Sequence, residues 1–151
     1  MLSFRDGAPF SAGRATFFDH EPAAREETAK IFVKIEPESL GGPILAQLDT
    51  GSAWSILDRQ VAEELHVLGT EGETVRMDTR FGEIVFRLIP MRIVVLADEG
   101  DSQTVNASVC VSERWNGGTF LGYSGFLERL RFALDPQSND FHFGGYVDSI
   151  A

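Results

Sequence analysis

Between Val75 and Leu88 the side chains alternate across a glycine. Val75, Met77 and Thr79 share one face before Gly82, and Ile84, Phe86 and Leu88 share one face after it. A period of two belongs to extended chain whose faces alternate, and two such runs joined at a glycine make a β-hairpin. The same period recurs where Ile31, Val33 and Ile35 alternate with Phe32 and Lys34. Apolar runs at Ile44 to Leu48, Ile93 to Val95 and Val105 to Val111, with an alternating Phe141-His142-Phe143, add further strands. Pro90 interrupts the pattern after Leu88, which ends one strand there and begins another at Ile93. Helical spacing occurs only at Val61, Leu65 and Leu68, behind Asp58 as N-cap, and at Phe126, Leu127 and Leu130, stopped by Asp135-Pro136. Six or more short strands with one or two short helices define a mainly β domain.

The 151 residues suffice for one such domain with a core of its own. Residues 1–29 mix Gly, Pro, Phe and charge without a steady period and read as a partly ordered N-terminal arm; regular structure is expected from near Lys30, and residues 30–151 as a single domain. The longest apolar run, Ile93 to Ala97, is five residues, against about 20 for a spanning helix. No membrane association is expected, and without a basic stretch leading into an apolar core no signal peptide, so a cytoplasmic location is expected. Thirteen Lys and Arg against twenty-three Asp and Glu give a formal charge of −10, which repels a phosphate backbone and disfavours nucleic acid as a partner. Cys110, alone and in an apolar stretch, reads as a buried structural thiol. The acidic loop Asp98-Glu99-Gly100-Asp101 lacks the twelve-residue ligand spacing of an EF-hand and reads as a solvated hairpin tip. No metal or cofactor is expected.

One segment carries chemistry. An apolar strand, Ile44 to Leu48, leads directly into Asp49-Thr50-Gly51-Ser52, and Trp54, Ile56 and Leu57 resume the apolar run. That context puts a carboxylate in a dry loop, where a lone charge is costly. Two carboxylates sharing one proton remove the cost and gain a function: one takes a proton from water while the other, protonated, polarises a carbonyl.

The run Ile44 to Trp54 resembles the active-site loop of retropepsin-like and pepsin-like aspartic proteases, and Thr119-Phe120-Leu121-Gly122 resembles the later apolar-apolar-Gly signature of the same fold. Phe126 to Leu130 followed by Asp135 is similar to the family's C-terminal helix and following strand, so the likeness spans about residues 30–145. It implies a retropepsin-like closed barrel or sandwich and an aspartic endopeptidase acting on a peptide or protein substrate. Asp49, Thr50 and Gly51 would be the catalytic triplet: Asp49 the reacting carboxylate, Thr50 in a reciprocal hydrogen bond with a partner loop, and Gly51 admitting close backbone approach. Ser52 would donate to the outer oxygen of Asp49, with Leu121 and Gly122 in support. Met77, Thr79, Phe81 and Gly82 would belong to a flap that closes over bound peptide. Only one Asp-Thr-Gly occurs, so the dyad implies a two-fold homodimer.

The likeness breaks at one place. Retropepsins usually follow the late Leu-Gly with a basic residue and then Asp or Asn, the basic side chain pairing with an acid four residues after the catalytic aspartate. Here Tyr123, Ser124 and Ala53 stand at those positions. With a short flap, this departure favours a second reading, a catalytically silent monomeric module of the same fold that binds peptide or protein. A serine hydrolase is disfavoured, because His20, His66 and His142 have no triad spacing to Ser52 or Ser55. His66 and His142 read as surface or capping residues, Trp54 as core before pocket lining, and Arg129 and Arg131 as a solvated helix face.

Overall fold

A computed structural model describes residues 1–20 and 30–146. Eleven strands dominate them: β1 (Gly13–Thr16), β2 (Phe32–Pro37), β3 (Ile44–Leu48), β4 (Ser55–Ile56), β5 (Glu73–Thr79), β6 (Gly82–Val95), β7 (Glu99–Gly100), β8 (Gln103–Val111), β9 (Phe120–Leu121), β10 (Arg131–Asp135) and β11 (Asp140–Gly144). One α-helix, α1 (Arg59–Glu64), and a single 3-10 turn at Leu127–Arg129 complete the elements. The larger sheet runs β2-β3-β9-β4-β8-β6-β5, and β2 also pairs with β6. That last pairing joins six of the strands into a closed barrel, leaving β5 outside as one arm of a hairpin. The smaller sheet runs β10-β11-β1-β7. The fold is mainly β, as the alternation requires.

β6 explains how barrel and hairpin coexist. From Gly82 to Leu88 it pairs with β5, and from Ile93 to Val95 it pairs with β2 on the same edge, while β8 lines its other edge from Arg87 to Val95. The interruption expected at Pro90 is therefore absent; the strand runs through it, with Pro90 opposite Ser108. The Arg92 carbonyl accepts from Glu38 N on the β2 side, so Pro90, two residues earlier, also turns its main chain to that edge. It falls in the gap between β5 and β2, where no strand needs its missing N–H.

Two apolar clusters fill the interior. The larger, with Val33, Ile35, Phe126, Leu127, Phe141 and Phe143 all nearly inaccessible, packs the barrel against the smaller sheet. The smaller consists of Ile56, Ile84, Phe86, Cys110 and Trp115, with Trp54, Val75 and Met77 against it, beneath the hairpin. Cys110 is fully buried there and burial pushes its thiol up to about 12. Trp54 packs on this cluster from one side.

Several local expectations need correction. Regular structure starts before Lys30, because β1 pairs with β11 on one side and β7 on the other; four residues opening with a glycine show no period, and their order comes from the distant strands. The acidic loop is tied down: Glu99–Gly100 pairs with β1, and Asp98 accepts from Thr16 N (2.8 Å) and Lys34 Nζ (3.0 Å). The helix expected at Phe126 is one 3-10 turn, since Leu130 is already extended where Arg131 enters β10 opposite Gly144. Arg131 is consequently a strand residue, its guanidinium over the rings of Phe4 (5.0 Å) and Tyr146 (5.5 Å), and Arg129 Nη1 donates to Asn106 O. His142 lies half-buried in mid-sheet between Arg14 and Ala133. His66 does end α1, in left-handed backbone (φ 58°) with its N–H on Glu63 O.

The hydrogen bond from Thr16 N, with Lys34 second, holds the Asp98 carboxyl below the usual carboxylate range. A depressed folded-state value means that the unfolded chain binds more protons, so this stabilisation is present above the ordinary carboxylate value and is lost as pH falls through the folded value. In urea titrations Asp98→Asn should be less stable than the native chain at pH 7, the gap closing as pH falls below about 4. A gap that widens on acidification would contradict this role for Asp98.

Candidate functional site

β3 and β9 run parallel, Gln47 opposite Phe120 and Leu48 opposite Leu121, and β4 returns along the other side of β9, Ile56 opposite Phe120. The connection between β3 and β4, residues 49–54, must therefore cross the end of β9, and Asp49 stands at the start of that crossing. Four hydrogen bonds fasten it: Asp49 N to Leu121 O (3.0 Å), Gly122 N to Ser55 Oγ (2.9 Å), Tyr123 N to Ser52 O (2.9 Å) and Ser124 N to Ala53 O (2.8 Å). The crossing is so close that a methyl on Gly122 would run into the main chain of Trp54 and the Ser52 carbonyl. Only glycine fits.

At the tip, Gly51 N donates to Asp49 Oδ1 (3.0 Å) and Ser52 N to Asp49 O (3.1 Å), a tight turn that fixes the carboxylate relative to the main chain. Asp49 is half-buried, while Thr50 and Gly51 are exposed. In the single chain the loop is thus more open than the dry setting inferred from its apolar flanks. Ser52 Oγ donates to Trp54 O (2.7 Å) and so braces the loop; the expected bond to Asp49 is not made. Ser55 is buried with its Oγ accepting from Gly122 N, a structural use that removes it as a nucleophile.

Asp49 borders a cleft of 380 Å³ whose other walls include Ile56, Met77, Thr79, Trp115 and Phe120. The hairpin residues Met77 and Thr79 thus reach the same space as the carboxylate. Gly82 takes the left-handed position of the turn (φ 96°), which leaves Arg80 and Phe81 with ordinary backbone, and Thr79 Oγ1 donates to Gly82 O (2.8 Å) and accepts from Phe81 N (3.1 Å). The Phe81 ring meets Trp115 edge-on (5.6 Å, 75°), and the Arg80 guanidinium lies over the Phe81 ring (4.9 Å). Phe81 is therefore at the hairpin tip, beside the cleft. A larger groove of 580 Å³ is lined by Leu65, Met91, Arg92 and Arg129 among others. Its carboxylate, Glu38, lies 3.8 Å from Arg92, and no acid–base constellation forms there; Asp49 makes the smaller cleft the candidate site.

Trp115 was not anticipated from the sequence. Its Nε1 donates to Gly118 O (2.9 Å), and a Cβ on Gly117 would collide with the indole, so an aromatic followed by paired glycines was the available signal. Thr119 was likewise noted only as part of a signature. It is buried, its carbonyl accepts from Gln47 N (2.9 Å) and its Oγ1 from Asp58 N (3.1 Å), tying the Asp49 strand to the start of α1. Among the described residues no group of three or more His, Cys, Asp or Glu side chains is arranged to hold a metal ion, and no helix is long and apolar enough to cross a membrane.

No family model matches the chain, and no curated protein matches it in sequence. Among solved structures it is similar to a retropepsin-like aspartic protease from Rickettsia conorii, with a TM-score of 0.53 over 87% of this chain and 89% of that one, at 17% identity. The chain has a retropepsin-like fold. The crossing of residues 49–54 over β9 is tightly constrained, because β9 and both sides of the loop converge on Gly122. Gly122→Ala should cost about 1–3 kcal/mol or more from overpacking, read as a lowered urea midpoint. Alanine at the open Gly42 or Gly69, where an added Cβ meets nothing within 4 Å and the backbone is not left-handed, should cost less. Equal losses at these positions would contradict the constraint assigned to the crossing.

Proposed function

We propose that the chain is an aspartic endopeptidase whose dyad is two copies of Asp49 brought together across a homodimer. The observation that carries this reading is the Asp49 carboxylate, fixed by Gly51 N at the mouth of a cleft beneath a hairpin, on a loop that a glycine-only crossing holds in place. The cleft's other carboxylate, Asp78, belongs to the hairpin strand β5; the partner that shares the Asp49 proton is a second Asp49, from a copy approaching the exposed Thr50 and Gly51. The ionised member then removes a proton from water, the water oxygen adds to the scissile carbonyl, and the protonated member donates to the carbonyl oxygen. Collapse of the tetrahedral species sends a proton to the leaving nitrogen. An extended peptide fits the space between loop and hairpin, where Ile56, Met77, Trp115 and Phe120 offer apolar contact.

A second reading, a silent peptide-binding module, is favoured by one specific contact: Phe81 closes the hairpin tip onto Trp115 of its own chain. Peptide cleavage assayed from pH 3 to 7 separates the two. The native chain should cleave with a bell-shaped profile belonging to the dyad as a unit, and Asp49→Asn should lower the rate by about 10²–10⁴-fold or more. Cleavage that survives Asp49→Asn would remove the mechanism, and binding without cleavage by the native chain would favour the module.

A further inference from the structure

Trp115 lines the Asp49 cleft and yet is only 4% exposed. Three aromatic rings lie against it: Phe86 (6.0 Å), Phe120 (5.9 Å) and, from the hairpin tip, Phe81 (5.6 Å). The first two are fixed, Phe86 by complete burial and Phe120 by its place in β9. Phe81 differs from both, because it sits on a turn and is 46% exposed.

Little holds that turn down. Met77 opposite Ile84 is the last pair of the hairpin whose side chains pack into the small cluster; beyond it Asp78 faces Glu83, and Arg80 to Glu83 are all exposed. Like charges directly opposite weaken a strand pair, and Arg76, 3.5 Å from Glu83, offsets one of the two. The edge-on contact of Phe81 with Trp115 is worth about two- to tenfold in an equilibrium beyond the area it buries. The tip can therefore lift while Ile84 and Phe86 stay seated.

Its departure uncovers a surface of defined chemistry. Trp115 Nε1 is already committed to Gly118 O (2.9 Å), and the indole lies so close to Gly117 that a Cβ there would collide with it. With the indole N–H taken and Ile56, Met77 and Phe120 beside it in the cleft wall, the vacated place accepts apolar groups and penalises polar ones. A ring gains there over an aliphatic group of the same size through edge-to-face contact. The chain itself supplies the example of an occupant, a phenylalanine side chain.

We propose that Phe81 is a built-in plug: in the free chain it fills an aromatic slot on Trp115, which an aromatic side chain of a bound extended peptide takes over when the hairpin tip lifts. The inference rests on the reading of the Asp49 cleft as a peptide site, and adds the side-chain class that the site selects and the residue that competes for it. A plug lowers the apparent affinity by the fraction of time the slot stands open, so its removal tightens binding. A residue that merely covers bound peptide would loosen binding when removed. The two roles have opposite signs.

Calorimetric titration in the Asp49→Asn background, where bound peptide survives, reads that sign. The probes are a blocked alanine pentapeptide with phenylalanine at its centre and its cyclohexylalanine counterpart, similar in shape but not aromatic. Adding Phe81→Ala should tighten binding of the phenylalanine peptide by about three- to tenfold, as for a slot closed some 70–90% of the time. With or without Phe81→Ala, the phenylalanine peptide should bind about two- to tenfold more tightly than the cyclohexyl one, and Trp115→Leu should cut that preference to less than about twofold. The half-exposed Phe81 tolerates alanine, which keeps the test decisive if Trp115→Leu misfolds. Looser or unchanged binding on Phe81→Ala overturns the plug, and equal affinity for the two peptides overturns the aromatic slot; either result leaves the dyad standing if the native chain cleaves through Asp49. Tighter binding on Phe81→Ala in a chain that never cleaves keeps the plug and removes the dyad. No binding of either peptide by any variant overturns the slot and the peptide reading together.

Discussion

The crossing of residues 49–54 over the end of β9 is the constraint on which the rest depends. Asp49 N on Leu121 O, Gly122 N on Ser55 Oγ, Tyr123 N on Ser52 O and Ser124 N on Ala53 O lock two segments some seventy positions apart in the chain. Each bond is worth on the order of 1 kcal/mol net, but together they leave no room for a side chain at position 122 and almost no freedom in the loop. A carboxylate held this way has a direction before any ligand arrives. Preorganisation of that kind is what a general acid–base group needs, because misplacement by about 1 Å is expensive in rate.

The hairpin depends on the same framework through β6. This strand closes the barrel with its second half and carries the β5 arm with its first, so the cover over the cleft is a continuation of a barrel stave. The small cluster around Phe86, Cys110 and Trp115 sits under the junction. Trp115 faces two ways: Phe81 lies against one part of it, and Phe86 and Phe120 against others. Movement of the hairpin tip is therefore coupled to the cleft wall by direct ring contact. At the opposite end, Arg14 bridges Asp140 (2.6 Å) and Glu99 (3.3 Å), and Asp98 ties β1 to Lys34, which fastens the smaller sheet to the barrel.

Much of this was legible because it is local. The hairpin at Gly82 follows from period-two alternation and the strand into Asp49 from an apolar run, while Gly51 serves a tight turn within its own loop; Leu121-Gly122 is legible only as a likeness, because the need for glycine there comes from Trp54 and Ser52 far along the chain. What was not legible is long-range. β1 owes its order to β11 and β7, far along the chain, and Gly13 to Thr16 carry no pattern that announces it. Pro90 reads as a breaker until a gap between two partner strands is known to lie beside it. The apolar spacing at Phe126, Leu127 and Leu130 is helical, but β11 claims Arg131 for a sheet before a second turn can form. Ser52 was assigned to Asp49 through likeness, whereas Trp54 O lies closer along its own turn. Resemblance carries no information on the choice this hydroxyl makes within one chain.

The proposed dyad makes each chain half of a catalytic site. The order of the cleavage reaction in chain concentration tests it most directly, with the native protein diluted through its association range and the initial rate followed on one extended peptide. The rate should rise with the square of chain concentration while monomers predominate and become linear once dimers form. A rate strictly proportional to concentration, measured on solutions that sedimentation shows to be monomeric, would contradict it.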